Sequence, residues 1–134
     1  MVVIARKVTE SLQDVPLSVQ AFTGDKLSAT GLSNLSEIGN ITSNLEFDSV
    51  SAISGSSNSP NLNIRGIGTT DFLLTVDPSD GVYVDGVYVA RSFGGLFDLL
   101  DLQQIEVLKG PQGTLFGRNT VAGAVLLALK KTKQ

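Results

Sequence analysis

The residues that could do chemistry in this chain are almost all carboxylates, because it has 13 Asp and Glu but no histidine and no cysteine. That composition removes imidazole bases, thiol nucleophiles, disulfides and zinc-thiolate sites. Acid/base work would then fall to paired carboxylates, of which Asp98/Asp101 and Asp77/Asp80 are the candidates. The first pair lies i,i+3 on an expected helix and the second flanks a turn, so solvation and turn capping account for both. Asp71, Asp77 and Asp80 could in principle bind Ca²⁺, but their spacing is not that of an EF-hand loop. Gly66-Ile67-Gly68 and Gly110-Pro111-Gln112-Gly113 are glycine-rich. Neither carries the Lys-Ser/Thr of a phosphate-binding loop, and Pro111 removes an amide donor. No catalytic residue, metal ligand or cofactor is expected, and the chain reads as a non-enzyme.

The bulk numbers agree with a binding or structural role. A chain of 134 residues with 42% hydrophobic residues is enough for one core, read as a single domain over 1–134. The net charge is -3, and the basic cluster Lys130, Lys131 and Lys133 reads as a solvated tail. A nucleic-acid partner is therefore not expected. Met1–Arg6 is too short for a signal peptide. The apolar run Ala124–Leu129 is far below the roughly 20 residues of a membrane-spanning helix.

The elements that must position any site read as follows. Leu17, Val19 and Ala21 alternate with Ser18, Gln20 and Phe22 in a strand that begins after Pro16. Thr23 is placed to cap a short helix through Leu27 that ends at Gly31. Ser33 opens a second helical pattern with Leu35, Ile38 and Ile41 on one face. Ser49–Asn61 is a Ser-rich loop, Leu62–Arg65 a short strand ended by Gly66 and Gly68, and Thr69–Asp80 a further loop. Val82–Val89 is a hairpin about Asp85-Gly86, pairing Val84 with Val87, Tyr83 with Tyr88 and Val82 with Val89. A short helix is expected over Phe93–Leu102 from Leu96, Leu99 and Leu100. Gln104–Lys109 reads as a strand, and Ala124–Leu129 as one buried on both faces. The sum is an α+β domain: a small mixed four-stranded sheet with short helices and long loops.

Four segments, in order, carry a family resemblance. They are Glu10–Val19, Asn63–Gly68, Val82–Tyr88 and Ile105–Asn119, the last reading Ile-Glu-Val-Leu-Lys-Gly-Pro-Gln-Gly-Thr-Leu-Phe-Gly-Arg-Asn. Together they resemble the plug domain of TonB-dependent outer-membrane receptors.

The resemblance implies a gate that occludes the lumen of an outer-membrane barrel of about 22 strands, a barrel absent from this chain. It implies substrates such as an iron chelate, cobalamin or a carbohydrate, bound above the plug. It also implies opening by the periplasmic protein TonB, which pairs with a short N-terminal box by strand addition. The implied location is the bacterial outer membrane, with access to the periplasm. A plug also suits the long loops, since a wet lumen requires polar surface and remodelling requires modest stability.

Carried over residue by residue, Val2, Val3, Ile4 and Ala5 match the tail of the box within the segment 1–14. The acidic residue that often precedes it is absent, so the box is partial. Arg65 matches the first arginine of a charge latch between plug and barrel, and Lys109 stands where the family has a second arginine. A lysine keeps the charge and loses the bidentate fork, so a looser latch is expected. The alternative for Arg65 is a solvated charge at a strand end. Glu106 and Arg118 either pair within the plug or face water. Thr69, Thr70, Asp71 and Phe72, with Arg91, Ser92 and Phe93, fall in loops that the resemblance turns toward the ligand. Phe72 and Phe93 are either ligand-stacking aromatics or core residues. The apolar Val125–Leu129 departs from the family's alternating strand with Asn and Thr. A free-standing soluble module that binds a ligand or partner is the alternative function.

Overall fold

Apolar alternation and two tight turns build most of this protein, which a computed structural model describes over residues 2–3, 10–11, 18–32, 35–48, 61–68, 80–89, 102–111, 116–117, 120 and 122–131. The strands are β1 (Val2–Val3), β2 (Glu10–Ser11), β3 (Ser18–Thr23), β4 (Leu45–Asp48), β5 (Asn61–Ile64), β6 (Ile67–Gly68), β7 (Asp80–Val84), β8 (Val87–Tyr88), β9 (Leu102–Lys109) and β10 (Gly123–Leu129). Helix α1 spans Gly24–Ala29, and a 3-10 helix spans Leu35–Asn40.

The principal sheet has the order β3-β9-β10-β7-β8. It is mixed: β10 runs parallel to β7, and the other neighbours are antiparallel. It therefore has five strands, not the four expected. The short return arm β8 completes its edge, whereas β5 leaves it to form a second sheet, β4-β5-β6. A two-stranded ribbon joins β1 to β2.

The central position of β10 follows from its composition. Val125 and Leu127 enter the main core, while Ala124 and Leu126 face the opposite side of the sheet. A strand apolar on both faces has no solvent side to offer, so it takes the middle of the sheet. Each fully buried aliphatic of this kind contributes about 1.5–3 kcal/mol. The main core joins Val125 and Leu127 to Ile105, Val107 and Val82 of the same sheet. Leu27 of α1, Ile38 of the 3-10 helix and Leu45, Leu62 and Ile64 of the second sheet cover it. On the opposite face Val3, Tyr83, Leu108 and Ala124 form a smaller cluster, with Val19, Ala21, Tyr88 and Phe116 packed against it.

Local expectations for the first helix hold. Thr23 accepts a hydrogen bond from the Lys26 N–H, and Gly31 follows the helix at φ 76°. The second helical pattern is realised as a 3-10 helix that ends at Asn40, so Ile41 leaves the shared face and is 37% exposed although Ile38 is buried. Leu102 opens β9 instead of ending a helix. A register shift opposite Ala128 and Leu129 leaves Gln103 as an extra residue, which turns Leu102 to the main-core face beside Ile105. Ser33, Leu96, Leu99 and Leu100 lie outside the described residues, as do 49–60 and 69–79.

Candidate functional site

The Asp85-Gly86 hairpin forms in the expected register, with Tyr83 opposite Tyr88 and Val84 opposite Val87. Val89 N–H donates to the Val82 carbonyl at 2.9 Å, which completes the third pair. The two tyrosine rings share one face, 5.4 Å between centroids, and Tyr83 also meets Phe116 at 5.0 Å. Tyr83 Oη donates to the Phe116 carbonyl. Burial, then the neighbouring Tyr88, hold the Tyr83 phenol above its ordinary pKa.

A second two-residue turn lies between β5 and β6, at Arg65-Gly66. Arg65 has φ 56° and Gly66 φ 74°, so an arginine occupies the left-handed conformation in which a Cβ is disfavoured. Its N–H donates to the carbonyl of Asn44 at 2.8 Å, and Asn44 is itself at φ 59°. The Ser43-Asn44 segment and the Arg65 turn are thus fastened to each other.

Lys109 comes to the same place from β9. Its backbone is paired with Ser18 of β3 on one side and Gly123 of β10 on the other. Its side chain is only 9% exposed, and Nζ donates to Ser43 Oγ at 3.2 Å. The next residue, Gly110, has φ 100°, and its N–H donates to the Ala122 carbonyl at 2.9 Å. A Cβ at Gly110 would stand 3.7 Å from Arg65 Nη1, so the guanidinium lies over the Gly110 backbone. Burial, then the Arg65 charge, push the Lys109 ammonium below the ordinary lysine pKa. Two cations therefore converge from different sheets. Among the described residues, neither forms an ion pair with a carboxylate.

Close approach of the sheets makes this convergence possible. Gly123 faces the Leu108 carbonyl, and a Cβ there would also stand 2.8 Å from Ile64 Cδ1, one residue before Arg65. Only a residue without a side chain lets β5 end so near β9 and β10.

Glu106 is elsewhere. It shares the face of Leu108, opposite that of Lys109, because strand side chains alternate. It is 4% exposed and accepts a bond from Gln104 Nε2 at 2.8 Å. At the N-terminus Val2 and Val3 form β1, and Val3 is fully buried against Tyr83, Leu108 and Ala124. Ile4, Ala5 and Arg118 lie outside the described residues, as do Thr69, Thr70, Asp71, Phe72, Arg91, Ser92 and Phe93. Asp80 is the first residue of β7 and is buried. At the far end of the sheet an open groove of about 760 Å³ is lined by Phe116, Leu126, Ala128, Leu129, Gln103 and Asp85, among others. Among the described residues there is no cluster of three or more metal-ligating acids. Nor, among the described residues, is any helix long and apolar enough to cross a membrane, which says nothing about β-barrels.

Sequence reasoning missed Ser43 and Asn44. Their one local cue is an Asn, tolerant of the left-handed conformation, just before the apolar alternation of β4.

Residues 11–124 match the family model described as the TonB-dependent Receptor Plug Domain. The iron-regulated outer membrane virulence protein of Vibrio cholerae is 24% identical over 145 aligned positions, which cover all of this chain and 20% of that protein. The catecholate siderophore receptor Fiu of Escherichia coli K12 is 31% identical over 67 positions, or 49% of this chain and 8% of Fiu. The crystal structure of the ferripyoverdine receptor of the Pseudomonas aeruginosa outer membrane superposes over 99% of this chain and 17% of its own, with a TM-score of 0.74 and 21% identity. The chain thus spans a fifth or less of the curated relatives it is compared with.

Proposed function

The chain belongs to the TonB-dependent receptor plug domain family, and from that premise we propose that it gates an outer-membrane barrel that imports an iron chelate. Its substrate class is suggested by the names of its relatives, a siderophore receptor and an iron-regulated outer membrane protein. The observation that carries the gating reading is the convergence of Arg65 and Lys109 at one end of the principal sheet. Two cations held together repel, and a carboxylate from a lumen wall would relieve both. In this reading Arg65 and Lys109 are the plug's half of the latch. Glu106 lies behind the sheet from them, and Arg118 is a further charge from the same motif.

Opening follows from the N-terminal side. Val2–Ala5 is the segment that TonB would capture once β1 leaves β2 and Val3 leaves its packing, and strand pairing by main-chain hydrogen bonds tolerates a partial box. A pull on the chain before Ser18 reaches β3, an edge strand, whose first residue is the register partner of Lys109. Edge strands peel one pair at a time, so the step nearest the force is the one beside the latch. Thr69–Phe72 and Arg91–Phe93 are assigned to the ligand-facing side, with Phe72 and Phe93 as stacking aromatics.

Deletion of residues 1–134 from the parent receptor should convert a closed barrel into one that conducts ions in a planar bilayer. TonB-dependent uptake of ferric chelate should be lost at the same time. A parent gene without barrel strands, or unchanged conductance after deletion, would reject the gating role. Separately, wild-type uptake after Arg65 and Lys109 are both changed to Ala would reject the latch.

A further inference from the structure

Lys109 does not hold its ammonium alone. An arginine presents two parallel N–H donors from a rigid fork, whereas a lysine presents a rotating point charge. Here the ammonium is anchored, because Nζ donates to Ser43 Oγ at 3.2 Å from a side chain almost wholly buried. Ser43 is fixed in turn, since the neighbouring Asn44 carbonyl accepts the Arg65 N–H. The Ser43 hydroxyl has accepted one bond and still has its own O–H to give. A hydroxyl that accepts from a cation is polarised and becomes the stronger donor.

We propose that Ser43 is a positioning residue of this site, combining with Lys109 to supply the paired donors of a guanidinium to a carboxylate bound between Lys109 and Arg65. The proposal rests on the latch reading and extends it to a residue 66 positions away in sequence. Ser43 is exposed and Lys109 is buried, and the hydrogen bond that joins them is half-buried, so the pair stands at the edge of the core. Burial first, and then the Arg65 charge, disfavour the Lys109 ammonium, and a bound carboxylate would offset the second of these. The ligand is a single carboxylate group of the kind carried by an Asp or Glu side chain.

The test uses this chain with isotope-labelled lysine and arginine side chains, titrated with sodium acetate against sodium chloride at equal ionic strength. Acetate should shift the Lys109 Nζ and Arg65 guanidinium signals beyond the chloride effect. Ser43→Ala should weaken that response by about tenfold or more, as expected for one hydrogen bond to a charged group. Ser43→Thr, which keeps the hydroxyl, should restore it. In a Lys109→Arg background Ser43→Ala should have little effect, because the fork supplies both donors. Unchanged acetate affinity in Ser43→Ala, with loss in Arg65→Ala, would overturn the role of Ser43 and leave the latch standing. If neither Arg65→Ala nor Lys109→Ala altered the response, the latch itself would fall. A stronger response to phosphate than to acetate at equal concentration would overturn the carboxylate assignment.

Discussion

Two hairpins in this protein turn on the same backbone geometry with different residues. Asp85-Gly86 has φ values of 48° and 83°, and Arg65-Gly66 has 56° and 74°. Asp suits its place: short polar side chains tolerate the left-handed region, and Asp85 Oδ1 accepts the Leu129 N–H at 3.1 Å. Arginine has no such advantage, and holding it there costs on the order of 1 kcal/mol. The first turn closes a hairpin of the principal sheet, while the second aims a cation at Lys109. The contrast teaches that one turn is placed for stability, and that the other accepts strain at the point where the candidate latch is built.

The largest effect should come from the glycine beside both regions. Gly123→Ala would drive a methyl toward the Leu108 carbonyl and Ile64 Cδ1. It should cost about 3 kcal/mol in urea unfolding. A loss below about 1 kcal/mol would mean that β10 is not pressed against the Leu108 carbonyl of β9. Next, Gly66→Ala and Gly86→Ala should each cost about 1–2 kcal/mol and by similar amounts, since both positions have positive φ and open space around them. A harmless substitution at either would break the geometric parallel.

The sharpest comparison pairs the first turn residues. Asp85→Ala should lose about 1 kcal/mol with the Leu129 bond. Arg65→Asn should gain about 0.5–1 kcal/mol in the same thermal or urea melt, because Asn accepts the left-handed conformation. A destabilised Arg65→Asn would show that the guanidinium contributes net stability and would remove the case for strain.

The smallest effect is the pH dependence. The Lys109 pKa is lowered in the fold, so its charged form destabilises the native state below that pKa. As pH rises from the lowered value toward the ordinary lysine value of about 10.4, the unfolded chain holds the proton longer and stability should rise. Tyr83, with its raised pKa, acts in the opposite direction above about pH 10. The difference between wild type and Lys109→Met therefore isolates the lysine: the variant should be the more stable at neutral pH, with the gap closing in alkali. A gap constant from pH 7 to 11 would refute the assignment.

Much of this fold was readable where residues argue with their neighbours. Thr23 and Gly31 bracket α1, Asp85-Gly86 specifies its own register, and the unbroken apolar run of β10 requires a central strand. Strand β4 was not anticipated, because four residues alternating as Leu-Glu-Phe-Asp are too short to stand out without the partner β5. The Arg65 turn was hidden for the opposite reason: arginine carries no turn preference. The separation of Glu106 from Lys109 was available in principle, since an odd spacing along a strand sends two side chains to opposite faces.

By itself, the sequence determined the caps, the Asp-Gly turn, the two-faced apolar strand and the absence of histidine and cysteine chemistry. These depend on conformational preferences within a few residues and on composition. Tertiary structure decided the strand order, the departure of β5 into its own sheet and the meeting of Ser43, Arg65 and Lys109. Those outcomes depend on which apolar faces bury one another, a free energy shared among segments far apart in the chain and carried by no segment alone.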